Sequence, residues 1–214
     1  MLRVLFSFFL LLAPLFAGSL AKRPPASNPY ELREGDIVFQ DTGGPQGRAV
    51  RDATGSRFTH CGVVAEFEGR LVVLEAVQPV RTTPLQEWIE RSAPGTFHAR
   101  RLKRPVDDAG LARAREWASR QAGKDYDLRF AWNDRELYCS ELVWKLYKAA
   151  GVELCKPRPF REYNLEAPSV QAIIEKRYGG MDKLPLDEPA VAPGDLATSK
   201  LLVEAPRREP RKKG

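Results

Sequence analysis

Apolar and polar positions alternate most clearly between residues 59 and 77. His60, Gly62 and Val64 fall on one face of a strand over 59–66, and Leu71, Val73, Glu75 and Val77 fall on one face of a second over 70–77. Phe67-Glu68-Gly69 supplies the turn between them. Upstream, Gly35-Asp36-Ile37-Val38-Phe39-Gln40 reads as a turn and a short first strand. Residues 41–57 are rich in glycine and polar side chains and read as an exposed loop with one helical turn around 48–52. Thr83-Pro84-Leu85-Gln86 has the composition of a capping box and predicts a helix to about Arg91. A strand follows over 96–102.

The periodicity then turns helical. Asp107 or Asp108 caps a helix that stops before Gly123. Another begins near Cys139 and ends before Gly151, with 139, 142, 143, 146 and 150 on one face, so the cysteine looks toward the core. A further helix spans 168–178, closed by Gly179-Gly180. Val191-Ala192-Pro193-Gly194-Asp195 and Leu201-Leu202-Val203 predict a last ordered piece before a basic end. Mixed short strands and helices of this kind predict an α+β domain.

The ends change the domain count. Met1-Leu2-Arg3, the apolar run to Phe16 and the small residues before Lys22 form a secretory signal pattern over residues 1–21. A proline-rich linker over 22–33 precedes the domain at 34–204, and 205–214 reads as a basic disordered tail. The leader predicts a periplasmic or secreted protein. Its content of 43% hydrophobic and 29% charged residues is ordinary for a globular chain. The net charge of +6 is interleaved with acids outside the tail, which argues against nucleic acid as a partner. Nothing in the sequence sets the oligomeric state or the substrate.

Three cysteines and two histidines leave few pairings for chemistry. Cys139 opens a helix, where the helix dipole favours a thiolate, and an imidazole beside it would favour it further. With a two- or four-residue hairpin loop and no bulge, Glu75 lies on the same face as His60, directly opposite or diagonal to it. A three-residue loop would separate them. Pairing with His60 also removes the cost of a carboxylate inside an apolar strand. Cys139 as nucleophile, His60 as base and Glu75 as orienting group would constitute an acyl-transfer site, with the amides at the helix start facing an oxyanion. His98 lies among arginines and reads as structural, and Cys155, in Leu154-Cys155-Lys156-Pro157, is a poor nucleophile. No pair of cysteines or histidines has metal-ligand spacing, and the chemistry requires neither metal nor cofactor.

The motifs Gly35-Asp36-Ile37-Val38-Phe39, Thr59-His60-Cys61-Gly62-Val63-Val64, Leu74-Glu75-Ala76 and Tyr138-Cys139-Ser140-Glu141-Leu142-Val143 occur in an order that resembles the permuted papain-like NlpC superfamily, and within it the YiiX/YebB-like amidase branch. Gly123-Lys124-Asp125-Tyr126-Asp127 and Pro193-Gly194-Asp195-Leu196 resemble further motifs of that group. The resemblance implies a circularly permuted papain-like fold, a small antiparallel sheet packed against helices. It assigns Cys139 as nucleophile, His60 as base, Glu75 as third polar residue and Tyr126 as an oxyanion or substrate contact. The implied activity is hydrolysis of amide bonds in peptides or acylated amines through a thioester, with peptide, acyl-amino acid or lipid amide as substrate. Lipid acyl transfer, thioester hydrolysis and a catalytically silent domain docking on the envelope surface are the alternatives. Cys61 departs from the small apolar residue usual there, and strand alternation directs it away from the site, so it reads as a small core hydrophobe.

Overall fold

The hairpin that carries His60 and Glu75 is set by its turn. In the computed structural model, which describes residues 28–209, Phe67 pairs with Arg70. The loop is therefore two residues, Glu68 and Gly69, both at positive φ (50° and 71°). That is the turn whose twist matches two antiparallel strands. The flanking strands are β2 (His60–Phe67) and β3 (Arg70–Glu75). They run from Phe67↔Arg70 to Val63↔Leu74 without a bulge, so Gly62 stands opposite Glu75 and His60 diagonal to it.

Around this hairpin an antiparallel sheet is assembled. β1 (Ile37–Gln40) lies on the other side of β2, and a fourth strand (Arg81–Pro84, β4) lies outside β3. β5 (His98–Leu102) pairs with β1. Two short strands, β6 (Arg158–Pro159) and β7 (Pro189–Ala190), pair separately. β8 (Leu202–Glu204) closes the far edge, giving the order β4-β3-β2-β1-β5-β8. Because β1 and β2 are central and covered on both faces, their residues are buried almost continuously rather than alternately.

Helices fill the two faces and one end. They are α1 (Gly44–Thr54), α2 (Leu85–Glu90), α3 (Asp108–Ser119), α4 (Cys139–Ala149), α5 (Pro168–Tyr178) and α6 (Pro193–Ala197). On one face Val143 and Tyr147 of α4 pack with Ile37, Phe39, Cys61 and Val63. On the other, Trp88 and Ile89 of α2 pack with Tyr30, Val38, Val64, Val73 and Ala99. A third cluster joins Ala49 of α1 to Val170 and Ile174 of α5. Full burial of each large apolar side chain here contributes about 1.5–3 kcal/mol. Asp107 caps α3 by accepting from Gly110 N–H at 2.7 Å, and Gly179 closes α5 in the left-handed conformation, both as the sequence predicts.

Four expectations are corrected. The segment 41–57 holds a full eleven-residue helix, α1, because its small residues Gly47 and Ala49 pack inward while its partner α5 covers it. Thr83 does not cap α2; it belongs to β4 and its hydroxyl turns inward to Glu75 at 2.6 Å. The linker ends sooner than residue 33, since Tyr30 is buried and its hydroxyl meets His98. The stretch 205–209 is ordered as well: Ala205 is buried, Arg208 N–H bonds to Pro29 O and Tyr30 bridges to Arg207. The segments around Tyr30 and Arg207 thus pair with each other. The leader expected over 1–21, the linker expected from 22 as far as residue 27, and the last residues, 210–214, lie outside the described residues. Among those described, no helix is long and apolar enough to cross a membrane.

Gly62 shows how tightly the hairpin is built. A Cβ there would lie 2.5 Å from Val73 Cγ1 and 2.8 Å from Leu74 O, the latter a backbone atom that cannot swing aside. Gly62→Ala is expected to destabilise the fold by about 1–3 kcal/mol. A lower urea midpoint at unchanged slope would show it; an unchanged midpoint would contradict this packing.

Candidate active site

Glu75 is wholly buried at the end of β3, and four donors converge on it. His60 Nε2 lies 2.6 Å from Oε2, and Trp88 Nε1 donates to the same oxygen at 2.9 Å. Thr83 Oγ1 donates to Oε1 at 2.6 Å, and Arg91 Nη2 donates to it from the end of α2. Burial alone would push this carboxyl upward. The hydrogen bond and charge of His60, then Thr83 and Arg91, outweigh that effect and hold its pKa at about 2. It is an anion at any working pH.

The fixed carboxylate orients the ring. Nε2 of His60 is committed to Glu75, and the ring stacks on Trp88 with centroids 6.0 Å apart. Nδ1 is the nitrogen that remains, and the Cys139 side chain lies close enough to be the largest influence raising the ring's pKa. Burial pulls the His60 pKa down, but the Cys139 thiolate and then Glu75 raise it, to about 9. Reciprocally, Cys139 is held well below the ordinary thiol value. The Cys61 side chain lowers it most, burial opposes, and the His60 hydrogen bond and charge lower it further. Both shifts favour a thiolate facing an imidazolium.

Helix α4 delivers the sulfur. Tyr138 precedes it in extended conformation, and Cys139 is its first residue. The hydroxyl of Ser140 anchors the helix start by donating to Val191 O at 2.6 Å. Tyr138 Oη receives the Val191 N–H at 3.2 Å, so the loop before α6 is stitched to the same turn. The C-terminal motif is explained by this loop. Asp195 caps α6 through the Ala192 N–H at 2.8 Å and also accepts from Tyr163 Oη and Arg158.

Cys61 requires a correction. It does lie on the strand face opposite His60, but that is the face on which α4 packs, so its thiol reaches Cys139. Its N–H does too. Val64 N–H bonds toward β1 at Asp36 O, so the N–H of Cys61 points to the β3 side, where β3 has ended at Glu75. The freed ladder donor serves the thiolate. The three cysteines are all free, and burial raises Cys155 to about 12, consistent with its reading as a poor nucleophile.

Tyr126 borders the same space. Its hydroxyl receives the Gln46 Nε2 at 2.9 Å, and burial raises its pKa well above the ordinary value. A cavity of about 130 Å³ runs from Cys139 and Tyr126 between α1 and α5, walled by Ala53, Phe130, Ile173 and Ile174. His98 is elsewhere: its Nδ1 faces Tyr30 Oη at 2.9 Å and its ring stacks on Phe58. Asp36 keeps to its turn, accepting from Arg33 N–H and from Arg101. The residues that sequence reading did not find are Thr83, Trp88 and Arg91. Their signal is the pattern Thr83–Trp88–Arg91 immediately after the hairpin, a helix start folded over a buried acid.

Comparison with known proteins bears on this geometry. Residues 31–203 match the family described as "permuted papain-like amidase enzyme, YaeF/YiiX, C92 family". The chain belongs to that family. Within it, the chain is 35% identical over 165 residues to "Uncharacterized protein YiiX" of Escherichia coli K12, covering 77% of this chain and 81% of that relative. It is also similar to a solved structure titled "Crystal structure of metalloprotein yiiX from Escherichia coli O157:H7, DUF1105". That match has a TM-score of 0.78 at 34% identity and covers 85% of this chain and all of the other. The permuted papain-like fold is therefore shown, with the six-stranded sheet larger than the small one expected, and membership supports a cysteine hydrolase or amidase kind of activity. Among the described residues of this chain, no group of three or more His, Cys, Asp or Glu side chains is placed to hold a metal ion.

Glu75→Gln removes one of the two charges, after that of Cys139, that keep His60 protonated. The variant is expected to lower the His60 pKa from about 9, read by imidazole NMR, and to shift the alkaline fall of Cys139 chemistry to lower pH. In the wild type, stability from His60 is full below its ordinary 6.5 and lost as pH rises through about 9. That from Glu75 is full above 4.5 and lost as pH falls through about 2. An unchanged His60 titration in Glu75→Gln would contradict the coupling.

Proposed function

We propose that the protein hydrolyses the amide of an acylated amine through a Cys139 thioester. The observation that carries this reading is the apolar cavity that starts at the thiolate, since it offers an acyl chain a place beside the reacting atom. Cys139 Sγ attacks the amide carbon, and the His60 imidazolium gives its proton to the departing nitrogen. The amine leaves and a thioester remains. Water then attacks with His60 taking its proton, the carboxylic acid departs, and the thiolate and imidazolium are restored. Glu75 holds the ring throughout. The N–H groups of Cys139 and Cys61, at the helix start and the open strand end, are the donors proposed for the oxyanion. Tyr126 is a substrate contact in this scheme. The leader pattern over residues 1–21 supports a site of action outside the cytoplasm.

Family membership supports the reaction class, and the cavity supports acyl amides over peptides. Each buried methylene is worth about 0.8 kcal/mol, near a fourfold gain in kcat/KM. Hydrolysis of N-acyl amides is expected to quicken with acyl length until the cavity is full, and Ala53→Phe, which narrows its wall, should cut that series short while sparing acetyl substrates. Cys139→Ser should abolish turnover of every member, a loss of at least about a thousandfold. Equal rates across the series would refute the acyl assignment; turnover surviving in Cys139→Ser would refute the nucleophile. Adding an amine acceptor and weighing the products separates hydrolysis from acyl transfer.

A further inference from the structure

Arg177 is the outstanding unmatched group beside the cavity. It projects from the last turn of α5, with its guanidinium over the Phe130 ring at 5.1 Å and Nη2 donating to Gln46 Oε1 at 2.6 Å. Gln46 in turn donates to Tyr126, so one chain of polar contacts links Arg177 to the wall beside Cys139. No carboxylate completes the arrangement. Nη1 is buried with no hydrogen-bond partner among the described residues, and Arg177 forms no ion pair there. Asp127, near enough to feel its charge, accepts from the Arg129 N–H instead. A partly buried guanidinium with spare donors is costly unless an anion meets it.

The surroundings reinforce this. Arg177 belongs to the cavity at Cys139 and also to an adjoining depression on the outer side, where Arg129 and Lys176 stand with Leu128 and Gln46. Arg129 and Lys176 are exposed, and neither side chain forms an ion pair among the described residues. Three cations that form no ion pair among the described residues therefore line the depression adjoining the apolar cavity, and Arg177 lines both. Arg51, Arg91, Arg101, Arg115 and Arg158 each face a carboxylate, and what sets Arg177 apart from exposed unpaired cations is its buried Nη1, partnerless among the described residues.

We infer that Arg177, supported by Lys176 and Arg129, binds an anionic group on the substrate's amine portion, so that the preferred substrate is an acylated amine bearing a carboxylate or a phosphate. The inference rests on the acyl-amide reading of the cavity. The planar fork of Arg177 suits either oxyanion, with the apolar chain running inward past Phe130 and the amide left at Cys139. Arg177 is then a specificity-determining residue, and its contribution appears in binding rather than in the chemical step.

The test uses Cys139→Ala protein, which binds without turnover, and three probes: N-decanoylglycine, its neutral methylamide and decyl phosphate. Calorimetry is expected to show the glycine conjugate binding at least about tenfold more tightly than the methylamide, the gap closing in Arg177→Met and partly restored in Arg177→Lys. Tighter binding of decyl phosphate than of the glycine conjugate would assign the anion as a phosphate head; the reverse order would assign a carboxylate. Equal affinity of the charged and neutral probes overturns the inference while leaving the acyl cavity intact. Failure of all three to bind overturns the acyl reading and this inference with it. A circular-dichroism melt of Arg177→Met matching the parent excludes misfolding as the cause of any loss.

Discussion

One buried carboxylate sets the terms for the site. Glu75 has no access to water, and its two oxygens take four donors from β2, β4 and α2. An unpaired anion in that position would cost several kcal/mol, so the surrounding elements are committed to meeting it. The hairpin register places His60 diagonal to it, β4 turns Thr83 inward, and α2 closes over it with Trp88 and Arg91. Removal of any one donor leaves the buried anion less completely met, at a cost of about 1–3 kcal/mol. The ring of His60 is fixed as a result, and with it the direction from which a proton reaches Cys139.

The sulfur is held by a second constraint, the end of a ladder. β3 leaves the sheet after Glu75, and the N–H of Cys61 is left without a strand partner. The start of α4 occupies that opening. The thiolate therefore meets an imidazolium from one side of β2 and a thiol and an amide N–H from the other. This is why Cys139 is low while Cys61 and Cys155, equally cysteines and also shielded, are high: burial dominates for both of those. Location at a charge pair, rather than residue type, decides which thiol is ionised.

Much of this was legible along the chain. Strand alternation put His60 and Glu75 on one face, and the two-residue loop Glu68-Gly69 made the register correct. The period of α4 put Cys139 inward at a helix start. What escaped reading was long-range. α1 hides among Gly43, Gly44, Pro45 and Gly47, where local propensity opposes a helix and packing against α5 secures it. Thr83 looks like a helix cap, but a buried anion elsewhere claims its hydroxyl. Cys61 was placed on the proper face of its strand, yet alternation says nothing about which helix covers that face. The cavity, formed by α1, α5 and the segment around Phe130, has no signature in spacing at all.

The central claim is that Cys139 rests as a thiolate paired with protonated His60, and ultraviolet titration of the thiolate band tests it most directly. The account predicts one thiolate per chain already present at neutral pH, absent in Cys139→Ser and retained in Cys61→Ser and Cys155→Ser. A band that emerges only around the ordinary thiol pKa of 9.0, with His60 titrating near 6.5, would contradict it.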